Sequence, residues 1–283
     1  MRGYDVARLL GLAALWSLQY IFQRVAVPAF GAPLMAEARA LFGALFLVAY
    51  ALAAGQRIAP LAHWRDHLEM ALLNNVLPFI CFAYAAIVLP ASYLSIINGT
   101  VPLWTVLFAA WRLGEPVGLR RIGGFALGII GVALIVNLGP LELDAQVALA
   151  AAAGLLGAAS WAWAGVLIKL RTGVPPMGLA AGSIGFASVL MAPFWVQAPQ
   201  ATAWTLEATT SLVALGLLCS GVAYLALFTL VRDIGPSRTL SVGFLVPVLG
   251  VLWGWLLLDE AVTAPMLAGA ALVLLAMAVV LRR

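Results

Sequence analysis

The feature that most limits what this chain can fold into is a pattern written twice, 145 positions apart. Pro102, followed thirteen residues later by Glu115, reappears as Pro247 followed thirteen residues later by Glu260, and both glutamates close a long apolar run. The same offset carries Trp16 onto Trp161, Ala13-Ala14 onto Ala158-Ala159 and Arg24 onto Lys169, so it holds at both ends of each half. Each half contains five apolar runs. An odd number of crossings inserts the second copy upside down, and inverted repeats are the usual build of alternating-access transporters, with the substrate held near the midplane between the halves.

Composition identifies the solvent. With 65% hydrophobic and 9% charged residues and a mean hydropathy of +1.09, the chain has too little polar surface for a water-soluble fold. A helix needs roughly 20 apolar residues to cross the hydrocarbon. Cutting the sequence at charges, prolines and turn residues predicts spans at 6–27, 33–54, 68–89, 91–113, 119–138, 146–168, 176–196, 208–231, 236–258 and 262–281. The expected fold is an all-α integral membrane protein of ten transmembrane helices, arranged as two inverted five-helix repeats, 1–145 and 146–283, around a central cavity. Basic residues stay on the cytoplasmic side. Thirteen of the fifteen cations fall in one set of connections, which places both termini in the cytoplasm; Arg24 sits at the far end of span one and Arg39 inside span two. The net charge of +4 therefore reflects topology, and no nucleic-acid partner is expected. The partners are the lipid bilayer and a small-molecule substrate. Cys81 and Cys219 do not coincide under the offset, which argues against a disulfide or a metal pair.

Polar residues inside the hydrocarbon must face protein or a watery cavity. In span one Trp16, Gln19, Tyr20 and Gln23 share one helix face, and in span four Ser95, Asn98, Pro102 and Thr105 do so by the same spacing. Span three adds Asn74, Asn75, Pro78 and, further along, Tyr84. The second half offers Trp161, Trp163, Tyr224 and Ser241, which predicts a lopsided cavity with amides on one wall and aromatic faces on the other. Pro102 and Pro247 fall mid-span, where each removes a backbone donor and frees a carbonyl one turn earlier; with Pro78 they are the helix-shaping or gating candidates. Glu37 and Arg39 lie two apart and so point to different neighbours. Arg24 is the expected mate of Glu37, in an ion pair or at a proton site.

These segments resemble a known family. Gly235-Pro236-Ser237-Arg238 leading through Phe244-Leu245-Val246-Pro247 to Gly254-Trp255-Leu256-Leu257-Leu258-Asp259-Glu260 is similar to the second-repeat signature of the drug/metabolite transporter superfamily, within it the ten-span EamA type. Leu89-Pro90-Ala91-Ser92 through Val101-Pro102 to Leu113-Gly114-Glu115 is similar to the first-repeat version, and Trp16 and Arg39 also match. Where the family pattern has Gly-Ser-Asn after the span-one tryptophan, this chain has Ser17-Leu18-Gln19. In character the chain is nearest the YddG type, exporters of aromatic and other amino acids across the bacterial inner membrane. The resemblance implies a basket of helices one to four and six to nine around the cavity, with helices five and ten outside, Trp16 and Gln19 lining the cavity, and no cofactor. On this view Gln19, Asn74, Asn98 and Ser95 hold the zwitterionic end of an amino acid while Trp16, Tyr84, Trp161, Trp163 and Tyr224 contact its ring.

Three other readings keep less of the sequence. An intramembrane hydrolase using Ser220 lacks a base, because His63 and His67 lie at the cytoplasmic edge. A passive channel would show rings of charge along a pore. The same fold could carry sugar phosphates, nucleotide sugars or drug-like cations, but anionic cargo of that kind wants several deep cations and Arg39 stands alone.

Overall fold

The computed structural model describes residues 3–56, 58, 62–114, 118–138, 144–170, 175–196, 204–235, 239 and 242–281. Among them every regular element is helical. In chain order these are α1 (Gly3–Phe30), α2 (Ala32–Ala53), α3 (Trp64–Met70), α4 (Leu77–Val88), α5 (Ala91–Asn98), α6 (Val101–Leu113), α7 (Leu119–Leu138), α8 (Ala145–Leu170), α9 (Pro176–Met191), α10 (Leu206–Ala214), α11 (Ala223–Ile234), α12 (Val242–Leu258) and α13 (Ala264–Leu281). Six continuous helical runs among the described residues are long and apolar enough to cross a bilayer, and Val242–Leu258 and Ala264–Val280 are shorter apolar helices.

Several runs change helical type partway. A π-helical segment, Ala71–Val76, joins α3 to α4, and a second, Leu215–Val222, joins α10 to α11. The 145-residue offset carries one onto the other. Pro78 in the first turn of α4 supplies a local reason for the first: it has no N–H for the carbonyls of Leu73 and Asn74 behind it. Those two oxygens are taken by α8, where Ser160 Oγ donates to Leu73 O at 2.6 Å and Trp161 Nε1 donates to Asn74 O at 2.9 Å.

Pro102 departs from the expected mid-helix kink. The α-helical hydrogen bonding is interrupted at Gly99-Thr100, both still in right-handed helical conformation, and Pro102 sits in the first turn of α6, where a missing N–H costs nothing. Pro247 does lie inside α12 and is buried. A Cβ on Gly99 would come within 2.9 Å of Pro247 Cγ, so the helix break of one half is packed on the proline of the other.

Tight connections rest on left-handed residues. Gly31, φ 73°, is the single residue between α1 and α2, and Gly114, φ 69°, ends α6, a conformation open to glycine without a Cβ penalty. The 145-residue equivalent of Gly114 is Asp259, which adopts the same region, φ 52°. α7 and α13 pack chiefly on each other, with only slight contact elsewhere. Their seam runs along Gly124 and Gly131, where an added Cβ would strike Val280 and the Gly269 carbonyl, while at Gly128 it would strike Leu103 of α6. Small residues permit this close approach in lipid, where no hydrophobic push brings helices together.

Candidate functional site

Arg39 organises the interior. Its side chain reaches from α2, 4% exposed, to three other elements. Nη2 donates to Gln19 Oε1 of α1 at 2.7 Å, Nε donates to Ser220 Oγ of the second π segment at 3.0 Å, and the guanidinium lies 3.9 Å from the centroid of Phe79 in α4. All three partners are neutral. A π segment widens the helix locally and is often found at functional positions, and here it brings Ser220 to the cation.

Beside this group, Asn74 Nδ2 of the first π segment donates to Tyr224 Oη of α11 at 2.8 Å, and Trp161 bonds the Asn74 carbonyl while stacking on Phe82 at 5.0 Å. Phe82 in turn meets Tyr20, 5.7 Å between centroids. Gln19, Tyr20, Asn74, Trp161 and Tyr224 thus share one interior neighbourhood with Arg39. Gln23, one turn beyond Gln19, is fully buried and neither atom of its amide has a hydrogen-bond partner. Trp16 is half-buried against the same core.

Other expected residues fall elsewhere. Tyr84 is 49% exposed and lies on the exposed side of α4 with Ile87. Trp163 packs on Phe108 and on Trp111, itself 75% exposed, in an aromatic cluster between α6 and α8. It cannot share a face with Trp161 two residues earlier. Ser95 is buried and donates within its own helix to the Ser92 carbonyl at 2.7 Å, pressed against Gly250 of α12. Asn98 is the half-buried last residue of α5. Ser241 lies outside the described residues.

The expected Arg24–Glu37 pairing is not what forms. Arg24 Nη1 donates to the Ala86 and Ile87 carbonyls at 2.8 and 2.9 Å, serving the unsatisfied C-terminal end of α4. Glu37 Oε1 accepts from Ser188 Oγ at 3.0 Å and Trp195 Nε1 at 3.4 Å, while Oε2 has no partner. A helix end with orphan carbonyls outcompetes a carboxylate that neighbouring neutral donors already hold.

Sequence reasoning passed over Phe79 and considered Ser220 only as the nucleophile of the hydrolase reading it set aside. Ser220 accepts from a guanidinium, the opposite of what a nucleophile awaiting a base requires. The signal that finds it is the offset itself, since Ser220 is the equivalent of Asn75 and both lie in π segments. Glu260 is a further omission. Its two oxygens accept from the amides of Ala91 and Ser92 at 2.6 and 2.9 Å, closing the N-terminus of α5.

Comparison with known proteins agrees with this architecture. The sequence model of the EamA-like transporter family matches twice, over residues 6–137 and 148–282. The chain is 30% identical over 268 residues to "Uncharacterized transporter YvbV" of Bacillus subtilis strain 168, covering 93% of this chain and 86% of that protein. It is 28% identical over 256 residues to "Uncharacterized inner membrane transporter YedA" of Escherichia coli K12, covering 87% and 80% respectively. A solved crystal structure, 20% identical, superposes with a TM-score of 0.68 over 99% of this chain and 96% of its own. The chain is a multi-pass membrane protein that belongs to the EamA-like transporter family.

Proposed function

We propose that this protein is a secondary transporter of the bacterial inner membrane that exports aromatic and other hydrophobic amino acids, or related amphipathic metabolites, by alternating access. Ten crossing helices form two inverted repeats, 1–145 and 146–283, and the site lies between them. The observation that carries the reading is the interior cluster in which Arg39, Gln19 and Asn74 of the first half meet Ser220, Tyr224 and Trp161 of the second. It offers hydrogen bonds and aromatic faces side by side, which is what an amphipathic amino acid needs. The double match of the family model, the equivalent π segments and the equivalent left-handed residues Gly114 and Asp259 support the repeat. The printed name of YedA supports the inner membrane.

The test is uptake of labelled phenylalanine, tryptophan and an aliphatic amino acid into proteoliposomes, with and without an imposed pH gradient, against empty liposomes. Saturable uptake above the empty control is the expected result. Uptake of none of the three would assign this fold another cargo.

A further inference from the structure

Arg39 is a buried cation that enters no ion pair among the described residues. Of its five donors, Nε and one hydrogen of Nη2 are taken by neutral oxygens, and Nη1 donates to nothing among those residues. A buried charge held only by neutral dipoles is undercompensated, and an anion placed against it gains strongly. One turn along α1 from Gln19, which touches this guanidinium, the Gln23 amide is buried with its oxygen and its nitrogen both unsatisfied. Unsatisfied buried amides are uncommon enough to require an explanation, and Gln23 follows Gln19 by one helical turn, about 5.4 Å, on the same helix face.

We infer that Arg39 and Gln23 form the receptor for the zwitterionic end of an α-amino acid, Arg39 Nη1 taking the carboxylate and Gln23 Oε1 the ammonium. The inference rests on the amino-acid reading above and adds its recognition chemistry. Gln19 and Ser220 hold the guanidinium in place while the site is empty, and because they are neutral they leave its charge available. A single cation balances a single carboxylate. The ring of the substrate has Phe79, Phe82, Tyr20 and Trp161 within the same neighbourhood.

The experiment is equilibrium binding to purified protein in detergent of phenylalanine, 3-phenylpropanoate, which lacks the ammonium, and phenethylamine, which lacks the carboxylate. On wild-type protein, phenylalanine should bind and phenethylamine should bind at least about 30-fold more weakly, the scale expected when a buried charge loses its partner. Arg39→Gln should weaken phenylalanine and 3-phenylpropanoate by a similar factor and leave phenethylamine unchanged. Gln23→Leu should weaken phenylalanine while sparing 3-phenylpropanoate. Equal wild-type affinity for phenylalanine and phenethylamine overturns the inference without any variant, and so does undiminished phenylalanine binding to folded Arg39→Gln. If 3-phenylpropanoate binds through Arg39 while no amino acid binds, the amino-acid cargo and the Gln23 role fall and the carboxylate role of Arg39 stands. If no carboxylate binds, both readings fall.

Discussion

Glu260 accepts two backbone N–H bonds at the start of α5, and its position is prepared by Asp259 turning through the left-handed region and by Gly254, whose missing Cβ leaves room for the carboxyl group. Charge-assisted caps of this kind are worth about 1–2 kcal/mol. Glu260→Ala should therefore lower the thermal unfolding midpoint in detergent, and Gly254→Ala should do the same by displacing the carboxylate; an unchanged midpoint in both would show that the cap contributes nothing. Two aromatic residues make a paired prediction. Tyr84→Ala, at an exposed position, should leave phenylalanine affinity within about twofold, as for surface substitutions generally. Trp161→Phe keeps a ring over Phe82 but abandons the Asn74 carbonyl, which costs about 1–3 kcal/mol when buried, and binding assays on the two variants should separate them. At this scale the sequence marks Gln19, Gln23, Asn75 and Ser95 as interior, and all four are buried, since lipid tolerates few alternatives. It does not separate Tyr84, which is exposed, from them, because a tyrosine is equally at home on an outer surface and against a cavity.

The elements carry their own test in the two π segments. A π turn accommodates one extra residue relative to an α-helix, so deleting Leu72, an outward-facing residue of the first segment, should convert it to α-helix while leaving α3 and α4 in register. We expect such a protein to reach the membrane and elute as a single species, yet to lose phenylalanine binding by at least tenfold, because Asn74 and Asn75 are rotated off their partners Tyr224 and Ser183. Retained binding would mean that the segment is only a packing accommodation. Neither segment is legible from periodicity, since both are apolar throughout apart from the asparagines in one and Ser220 in the other. Pro78 hinted at the first. Pro102 looked like a kink because spacing alone does not reveal that Gly99 and Thr100 already interrupt the helical hydrogen bonding.

For the whole molecule, the two halves are tied at opposite ends of α1's neighbourhood. Arg8 Nη1 of α1 meets Asp233 Oδ2 of α11 at 3.0 Å near the expected cytoplasmic face, while Glu260 joins the halves near the other. The first tie is a surface ion pair, which adds little to stability, so its value is as a reporter of motion. Replacing both residues by cysteine and oxidising the pair should abolish proteoliposome uptake and reduction should restore it, if the halves separate there during transport. The buried native thiols Cys81 and Cys219 make a clean background. Uptake that survives complete cross-linking would contradict alternating access through that face.

Hydropathy was enough to identify the membrane as solvent and long apolar helices as the elements, because it is a property of local composition that no partner can change. The tertiary structure alone decided that Arg39 binds Gln19, Ser220 and Phe79, that Arg24 serves α4 and Glu37 meets Ser188, and that Tyr84 turns outward. The physical reason is rotational. A buried polar side chain must find a partner, but which partner depends on how each helix is turned about its axis, and that angle is set jointly by glycine seams, helix breaks and π insertions in segments far apart along the chain.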